Sequence, residues 1–118
     1  MRIANIPALS ASDATSQTGV AIPADQLVSA SFQSVFGDTV AAGTVKIQAS
    51  NDINPSINSP NFVPTNWSDI PSATSTVTAG VAPIILIPNI AYQYMRVVFT
   101  SSVAGSTTIK VNMNAFGV

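Results

Sequence analysis

The chain has no histidine, no cysteine and no glutamate, and its 118 residues include only four Lys or Arg and five Asp. Most chemistry near neutral pH uses one of the three missing side chains to carry a proton, attack a carbon atom or bind a transition metal. The absence of cysteine also excludes a disulfide scaffold and a zinc knuckle. We therefore predict a non-enzymatic protein with no catalytic residues, no metal and no cofactor, whose role is to bind, cover or assemble.

Basic charge is equally scarce, and the formal net charge is −1. The four cations are far apart in sequence: Arg2, Lys46, Arg96 and Lys110. Such a set makes a poor phosphate track, so no nucleic-acid partner is expected. The most apolar run, residues 81–87, contains Pro83 and is far shorter than the ~20 residues of a membrane span, so no membrane partner is expected either. A net charge this small favours self-association, because small soluble domains usually carry a net charge of about 2–8.

The residues that are abundant favour β-strands, and proline and glycine punctuate the chain at short intervals. Residues 44–50 give the clearest pattern, with Val45, Ile47 and Ala49 on one face and polar side chains on the other. A period of two excludes a helix face. The same alternation predicts strands at 26–36 and 107–115. Their apolar positions are Val28, Ala30, Phe32 and Phe36 in the first and Ile109, Val111 and Met113 in the second.

Residues 92–101 carry bulk on both faces, which is typical of a central strand. Strands at 73–79 and 83–87, an edge strand at 18–22 and a final hairpin turn at 101–106 complete seven or eight strands. This pattern predicts an all-β protein, an antiparallel β-sandwich of jelly-roll type. The sandwich occupies residues 18–118. Residues 1–17, which are polar and small, are expected to form an N-terminal arm or extended segment outside the core. The predicted core anchors are Phe32, Trp67, Tyr92, Val97 and Phe99.

A long loop rich in Asn and Pro spans residues 51–66. Loops of this length in compact domains are usually functional, although surface loops also tolerate insertions that have no role. The predicted contact residues are six in this loop and one arginine beyond it: Asn51, Asp52, Asn54, Asn58, Asn61, Asn66 and Arg96. We expect Arg96 to pair with an aspartate or to lie in an interface, because an unpaired buried guanidinium is costly.

The residue types present suggest three kinds of chemical site, two of them beside this loop. Asp52 and Asp69 with nearby Asn residues offer oxygen ligands for Ca²⁺, but their spacing matches no calcium loop, and Asp and Asn also form ordinary turns. The same two carboxylates are a weak glycosidase pair, because the general acid needs apolar burial. A nucleophilic serine lacks a base, since there is no histidine and both lysines lie at solvent-facing strand positions.

Trp67, Tyr92 and Tyr94 have two interpretations. Aromatic rings with a polar tip form sugar-stacking platforms. A lone tryptophan near Ile70, directly after a loop, more often anchors that loop in the core. We favour the core interpretation, and carbohydrate is kept as the alternative partner.

Four phrases carry a resemblance to a known family. They are GTVKIQASND at 43–52, PTNWSDI at 64–70, YQYMRVVFT at 92–100 and GSTTIKVNMNAFG at 105–117. This series resembles small β-sandwich structural proteins of tailed bacteriophages. The resemblance implies a virion component, of the head-decoration, auxiliary, fibre or tail-adaptor type, which assembles with copies of itself and with other virion proteins. Independently of the resemblance, few charges protect the sheet edges, so the edges are either paired with another subunit or covered by loops, and we favour pairing with another subunit.

A second likeness gives the alternative function. The run from Gln48 through Ser50 to Asp52, a tryptophan soon after it and a Tyr-x-Arg strand are similar to discoidin-type carbohydrate-binding modules. That likeness implies a β-sandwich module used in host or glycan recognition. Shared architecture alone does not transfer ligand binding.

Overall fold

The computed structural model describes residues 2–11, 16–36, 42–54, 62–78, 81–101 and 109–117. Within these residues the chain forms nine strands and no helix, so the prediction of an all-β antiparallel sandwich is confirmed. None of the described residues belongs to a helix of the length and apolarity that crossing a membrane requires. The strands are β1 (Arg2–Ala11), β2 (Ser16–Thr18), β3 (Ile22–Pro23), β4 (Leu27–Phe36), β5 (Ala42–Ser50), β6 (Ser68–Thr78), β7 (Ile84–Ile87), β8 (Tyr94–Ser101) and β9 (Ile109–Gly117).

The strands form two antiparallel sheets. One has the order β1-β9-β4-β7, and the other has the order β2-β8-β5-β6, with β3 also pairing with β8. The pairing is nested, because β1 pairs with β9, β2 and β3 with β8, β4 with β7, and β5 with β6. The predicted final hairpin is therefore wrong: β8 pairs with β5 and β9 with β4, so the chain between them passes from one sheet to the other.

The core lies between the sheets and is built by the predicted alternation. Val45, Ile47 and Ala49 of β5 point inward and are buried. Three of the predicted core anchors, Phe32, Val97 and Phe99, have 0 % exposure. Fully burying a side chain of this kind contributes roughly 1.5–3 kcal/mol. The rest of the fully buried set includes Met95, Ile109, Val111 and Met113.

Two positions depart from the alternation. Val28 was expected to face the core, but it is 47 % exposed, because the register of β4 against β9 shifts between Leu27 and Ser29. Ser50 was expected to face solvent, but it is buried, and its Oγ accepts a hydrogen bond from the Asp52 N–H at 3.1 Å. The register shift at Val28 and the hydrogen bond at Ser50 thus place these two side chains on the face opposite to the one that strict alternation predicts. The side chain of Phe36 lies outside the described residues.

The N-terminal segment is part of the sandwich, which corrects the expectation that it lies outside the core. β1 pairs with β9 along its whole length and buries Ala8 and Leu9. Small residues allow this packing instead of preventing it. The Gly19 N–H donates to the Val97 carbonyl at 2.8 Å, and a Cβ at Gly19 would collide with the carbonyl oxygen of Ala8. The backbones of β1 and β8 thus come together where a glycine leaves room.

Candidate functional site: a polar groove at one end of the sandwich

Asp52 ties together the two described ends of the long loop. Its Oδ2 accepts hydrogen bonds from the N–H groups of Thr65 at 2.8 Å and Asn66 at 3.0 Å, and its Oδ1 accepts one from Asn66 Nδ2 at 3.0 Å. The two backbone N–H groups, Asn66 first, lower the pKa of Asp52 because they stabilise the ionised carboxylate. The side chain is therefore a fixed anion at neutral pH.

Asn51 fixes the same end of the loop to the start of β8. The Gln93 N–H donates to Asn51 Oδ1 at 3.3 Å and to the Ser50 carbonyl at 3.1 Å. Asn54 is described but does not line the groove, and the predicted contacts Asn58 and Asn61 lie outside the described residues. The loop closure made by Asp52 brings Asn51, Asp52 and Asn66 together in space, and their role as contact residues stays a prediction.

A row of polar side chains crosses the outer face of the five-stranded sheet. Lys46 Nζ lies 3.2 Å from Asp69 Oδ1, Gln48 Nε2 donates to Asp69 Oδ1 at 2.9 Å, and Arg96 Nε donates to Gln48 Oε1 at 2.8 Å. Hydrogen bonds from Gln48 and then Lys46 lower the pKa of Asp69. Among the described residues the partners of Arg96 are thus Gln48 and an aromatic ring and not an aspartate. The other expectation, that Arg96 lies in an interface, stays a prediction.

That ring belongs to Trp67, which lies outside the core. The Arg96 guanidinium carbon is 4.2 Å from the centroid of the Trp67 ring, and Trp67 Nε1 donates to the Pro64 carbonyl at 3.0 Å. Trp67 is half-buried, so its assignment as a core anchor is corrected. The Phe62 and Tyr94 rings also make contact, tilted by 41° with centroids 5.8 Å apart. Phe62 and Trp67 therefore pack on the outer face of β8 at Tyr94 and Arg96, and Trp67 anchors the loop from outside.

The loop, β6 and the start of β8 enclose a groove of about 400 Å³, which we call the polar groove. Its lining residues are Ala49, Ser50, Asn51, Asp52, Asn66, Ser68, Asp69, Ile70, Pro71 and Tyr92. Tyr92, predicted as a core anchor, is half-buried and contacts both the core and the groove. Asp52 and Asp69 are 17 residues apart in sequence, and the pairing of β5 with β6 brings them to one groove.

Sequence reasoning missed the contribution of Lys46 and Gln48. Both lie on the polar face of β5, which was predicted, but their partner Asp69 comes from β6. The alternation assigns each side chain to a face, and the strand register decides which charges meet. Within the described residues there is no group of three or more acidic, histidine or cysteine side chains that would hold a metal ion.

No protein-family model and no curated protein matches this chain. The site is therefore interpreted from its own geometry. It offers two ionised carboxylates, two side-chain amides, two serine hydroxyls and one tyrosine ring at one end of the sheet.

Proposed function

We propose that this protein is a non-enzymatic structural subunit of a tailed-bacteriophage particle, present in many copies on the head or tail as a decoration, stabilising or fibre-type protein. Its partners are copies of itself and other virion proteins, and its location is the virion. The observation that carries this proposal is the edge of β6 at residues 73–78, along which no other described strand pairs and no protecting feature of the described residues lies.

The other described sheet edges are protected. β1 contains Pro7 and two shifts of register, and β2 and β3 are only three and two residues long. β7 has four residues between Pro83 and Pro88. Prolines, irregular registers and short strands are the devices by which sheet proteins prevent edge-to-edge pairing.

β6 is protected only in its first half. Its pairing with β5 is interrupted between Asp69 and Thr74, where Pro71 and the positive φ of Ser72 (64°) form a bulge. From Thr74 to Thr78 the register is regular, with no charge, no proline and no glycine. A copy of the same edge pairs with this one without like-charge repulsion, and threonines opposite one another on antiparallel strands attract. The edge is thus suited to a second copy of the chain.

The outer face of the four-stranded sheet supports the same interpretation. Its centre is an uncharged polar ladder in which Gln33 lies opposite Asn112 and Ser31 opposite Asn114, beside a depression of about 260 Å³. At the rim, on β7, Ile84 and Leu86 are 62 % and 64 % exposed. Exposed apolar side chains next to neutral amides suit contact with another protein surface.

The nested strand order also supports a jelly-roll class, in which two four-stranded sheets form from a doubled-over chain. Jelly rolls occur in viral capsid proteins and also in lectins. This argument is one of architecture and does not by itself select a function. It is consistent with the strand-edge argument.

The carboxylates of the polar groove support a non-enzymatic role. A glycosidase of the usual kind needs one carboxyl with a raised pKa to protonate the leaving group. The pKa values of Asp52 and Asp69 are both lowered by hydrogen bonds, so both side chains are acceptors at neutral pH.

Light scattering over a range of protein concentrations tests the assembly. We expect a defined oligomer for the natural chain and a shift toward monomer for Thr76→Lys, because a lysine at the exposed edge position opposes pairing. Gln26→Lys, which adds the same charge in an exposed turn, is the matched control and should assemble normally. A natural chain that stays monomeric at every concentration, or a Thr76→Lys variant that assembles like the control, contradicts pairing through this edge.

The location has a separate test. Purified phage particles from the source of the chain are analysed by peptide mass spectrometry. We expect the chain at a fixed ratio to the major capsid protein after gradient purification. Its loss from the particles during purification would contradict a virion component.

A further inference from the structure

The polar groove has the size and the mixed lining of a small-ligand site. Its volume of about 400 Å³ lies within the roughly 300–1,000 Å³ of small-molecule sites. Polar side chains from the loop and from β6 line the groove together with Tyr92, which lies two residues before β8. The groove lies at the sandwich end and does not include residues 73–78 of β6, so it is separate from the edge assigned to assembly.

Its hydrogen-bond acceptors are fixed in place. Asp52 is held by three hydrogen bonds from Thr65 and Asn66, and Asp69 by Gln48 and Lys46. An ionised carboxylate offers about four acceptor positions, so each of the two retains capacity toward the groove. Acceptors that are already oriented lower the entropic cost of binding a ligand.

Donors and an apolar surface complete the lining. The Oδ1 of Asn51 is engaged by the Gln93 N–H, while its Nδ2 has no acceptor among the described residues. The Ser68 side chain is exposed beside it. Tyr92 and Pro71 supply apolar surface. A ligand for this groove must therefore donate to carboxylates, accept from an amide or hydroxyl, and present a C–H face to a ring.

We propose that the polar groove binds a neutral pyranose sugar unit through Asp52, Asp69 and Asn51, with the sugar ring against Tyr92. Neighbouring hydroxyls of a pyranose donate and accept at once, and its C–H face is apolar. The ligand is neutral because an anionic sugar would meet two negative charges at short range. This site adds glycan recognition to the assembly role and does not depend on it.

The experiment is a titration of the whole chain with individual sugars, in which NMR chemical shifts of the backbone amides report binding. The probes are the methyl glycosides of glucose, galactose and mannose, N-acetylglucosamine, and the anionic N-acetylneuraminic acid. We expect at least one neutral sugar to give saturable shifts at residues lining the groove. We expect the anionic sugar to bind more weakly than that neutral one.

Three variants locate the site. Asp69→Asn and Asn51→Ala should weaken binding by about tenfold or more, because each removes a hydrogen bond made to or from the sugar. Asp25→Asn removes an equal charge from an exposed turn that does not line the groove and should leave the affinity unchanged. Circular dichroism of each variant checks that it is folded, and Tyr92→Phe keeps the ring and should retain most of the binding.

Absence of binding by every neutral sugar at tens of millimolar overturns the proposal. So does binding that Asp69→Asn and Asn51→Ala leave unchanged, or tighter binding of the anionic sugar. The readout differs from the light scattering that tests assembly, so a monomer that binds sugar and an oligomer that does not are distinguished.

Discussion

The guanidinium carbon of Arg96 lies 4.2 Å from the centroid of the Trp67 ring. Arg96 stands on the outer face of β8, in a strand whose inward neighbours Met95 and Val97 are fully buried. Trp67 reaches it from the last residue before β6. Burial lowers the pKa of Arg96, but a guanidinium remains protonated, so the cation stacks on the ring face. The contact joins the long loop to the centre of the five-stranded sheet.

Trp67→Ala should therefore cost less stability than loss of a core aromatic. We expect about 1–2 kcal/mol, from the cation–π contact and the packing on the sheet. Phe32→Ala, at a position with no exposure, should cost about 3–5 kcal/mol. Urea unfolding at neutral pH measures both.

A double-mutant cycle of Trp67→Ala with Arg96→Gln isolates the contact. We expect a coupling free energy of about 0.5–2 kcal/mol. If Trp67→Ala and Phe32→Ala lower the free energy of unfolding equally, and the cycle gives no coupling with Arg96, the result would contradict the finding that Trp67 lies outside the core.

Removal of residues 2–11 should prevent folding and not merely assembly. The deletion leaves the β9 edge unpaired and removes the buried Ala8 and Leu9. Leu9→Ala, which keeps the strand, should cost about 2–5 kcal/mol. Thermal unfolding followed by circular dichroism compares the three proteins. A truncated chain that melts like the full-length protein would mean that β1 contributes nothing to the sandwich.

Gly43→Ala should destabilise the protein by about 1–3 kcal/mol through overpacking. A Cβ at this position would lie 2.5 Å from Cε1 of Phe99 and 2.5 Å from the carbonyl oxygen of Thr100, and Phe99 itself has no room to move in the core. Thr18→Ala, at an exposed strand position outside the edge assigned to assembly, is the control and should change the free energy of unfolding by less than about 0.5 kcal/mol. Urea midpoints for the two variants decide the matter; a Gly43→Ala variant as stable as the control would show that the core accommodates the methyl group.

Acid should weaken the fold in part through Asp52. Its folded-state pKa lies below the unfolded value of about 3.9, because the Asn66 and Thr65 N–H groups bind the ionised form. The resulting stabilisation is present above pH of about 4 and is lost as the pH falls through the folded-state pKa. Asp52→Asn should be less stable at neutral pH and should show a shallower loss in acid.

Urea unfolding between neutral pH and about pH 2 measures that difference. Asp25→Asn serves as the comparison, because it removes a carboxylate from an exposed turn. Parallel pH profiles for the natural chain and Asp52→Asn would mean that the loop closure by Asp52 does not contribute to stability.

Along most of the strand residues that alternate, the sequence by itself determined which side chains face the core, with Val28 and Ser50 as exceptions. Val45, Ile47 and Ala49 alternate with polar residues, and a strand has no other way to place them than on one face. The same pattern gave Phe32, Val97 and Phe99 as buried residues and an all-β sandwich as the fold. These features depend on the chemistry of each segment alone.

Only the tertiary structure decided which strands meet. Backbone hydrogen bonds are the same for every residue except proline, so the pattern of β8 and β9 does not reveal that they lie in different sheets. For the same reason the sequence does not reveal that β1 pairs with β9. It also does not reveal that Lys46 and Arg96 belong to one hydrogen-bonded row, or that Asp52 and Asp69 line one groove. A period of two assigns a face to each side chain, whereas its partner is set by strand register over long sequence distances.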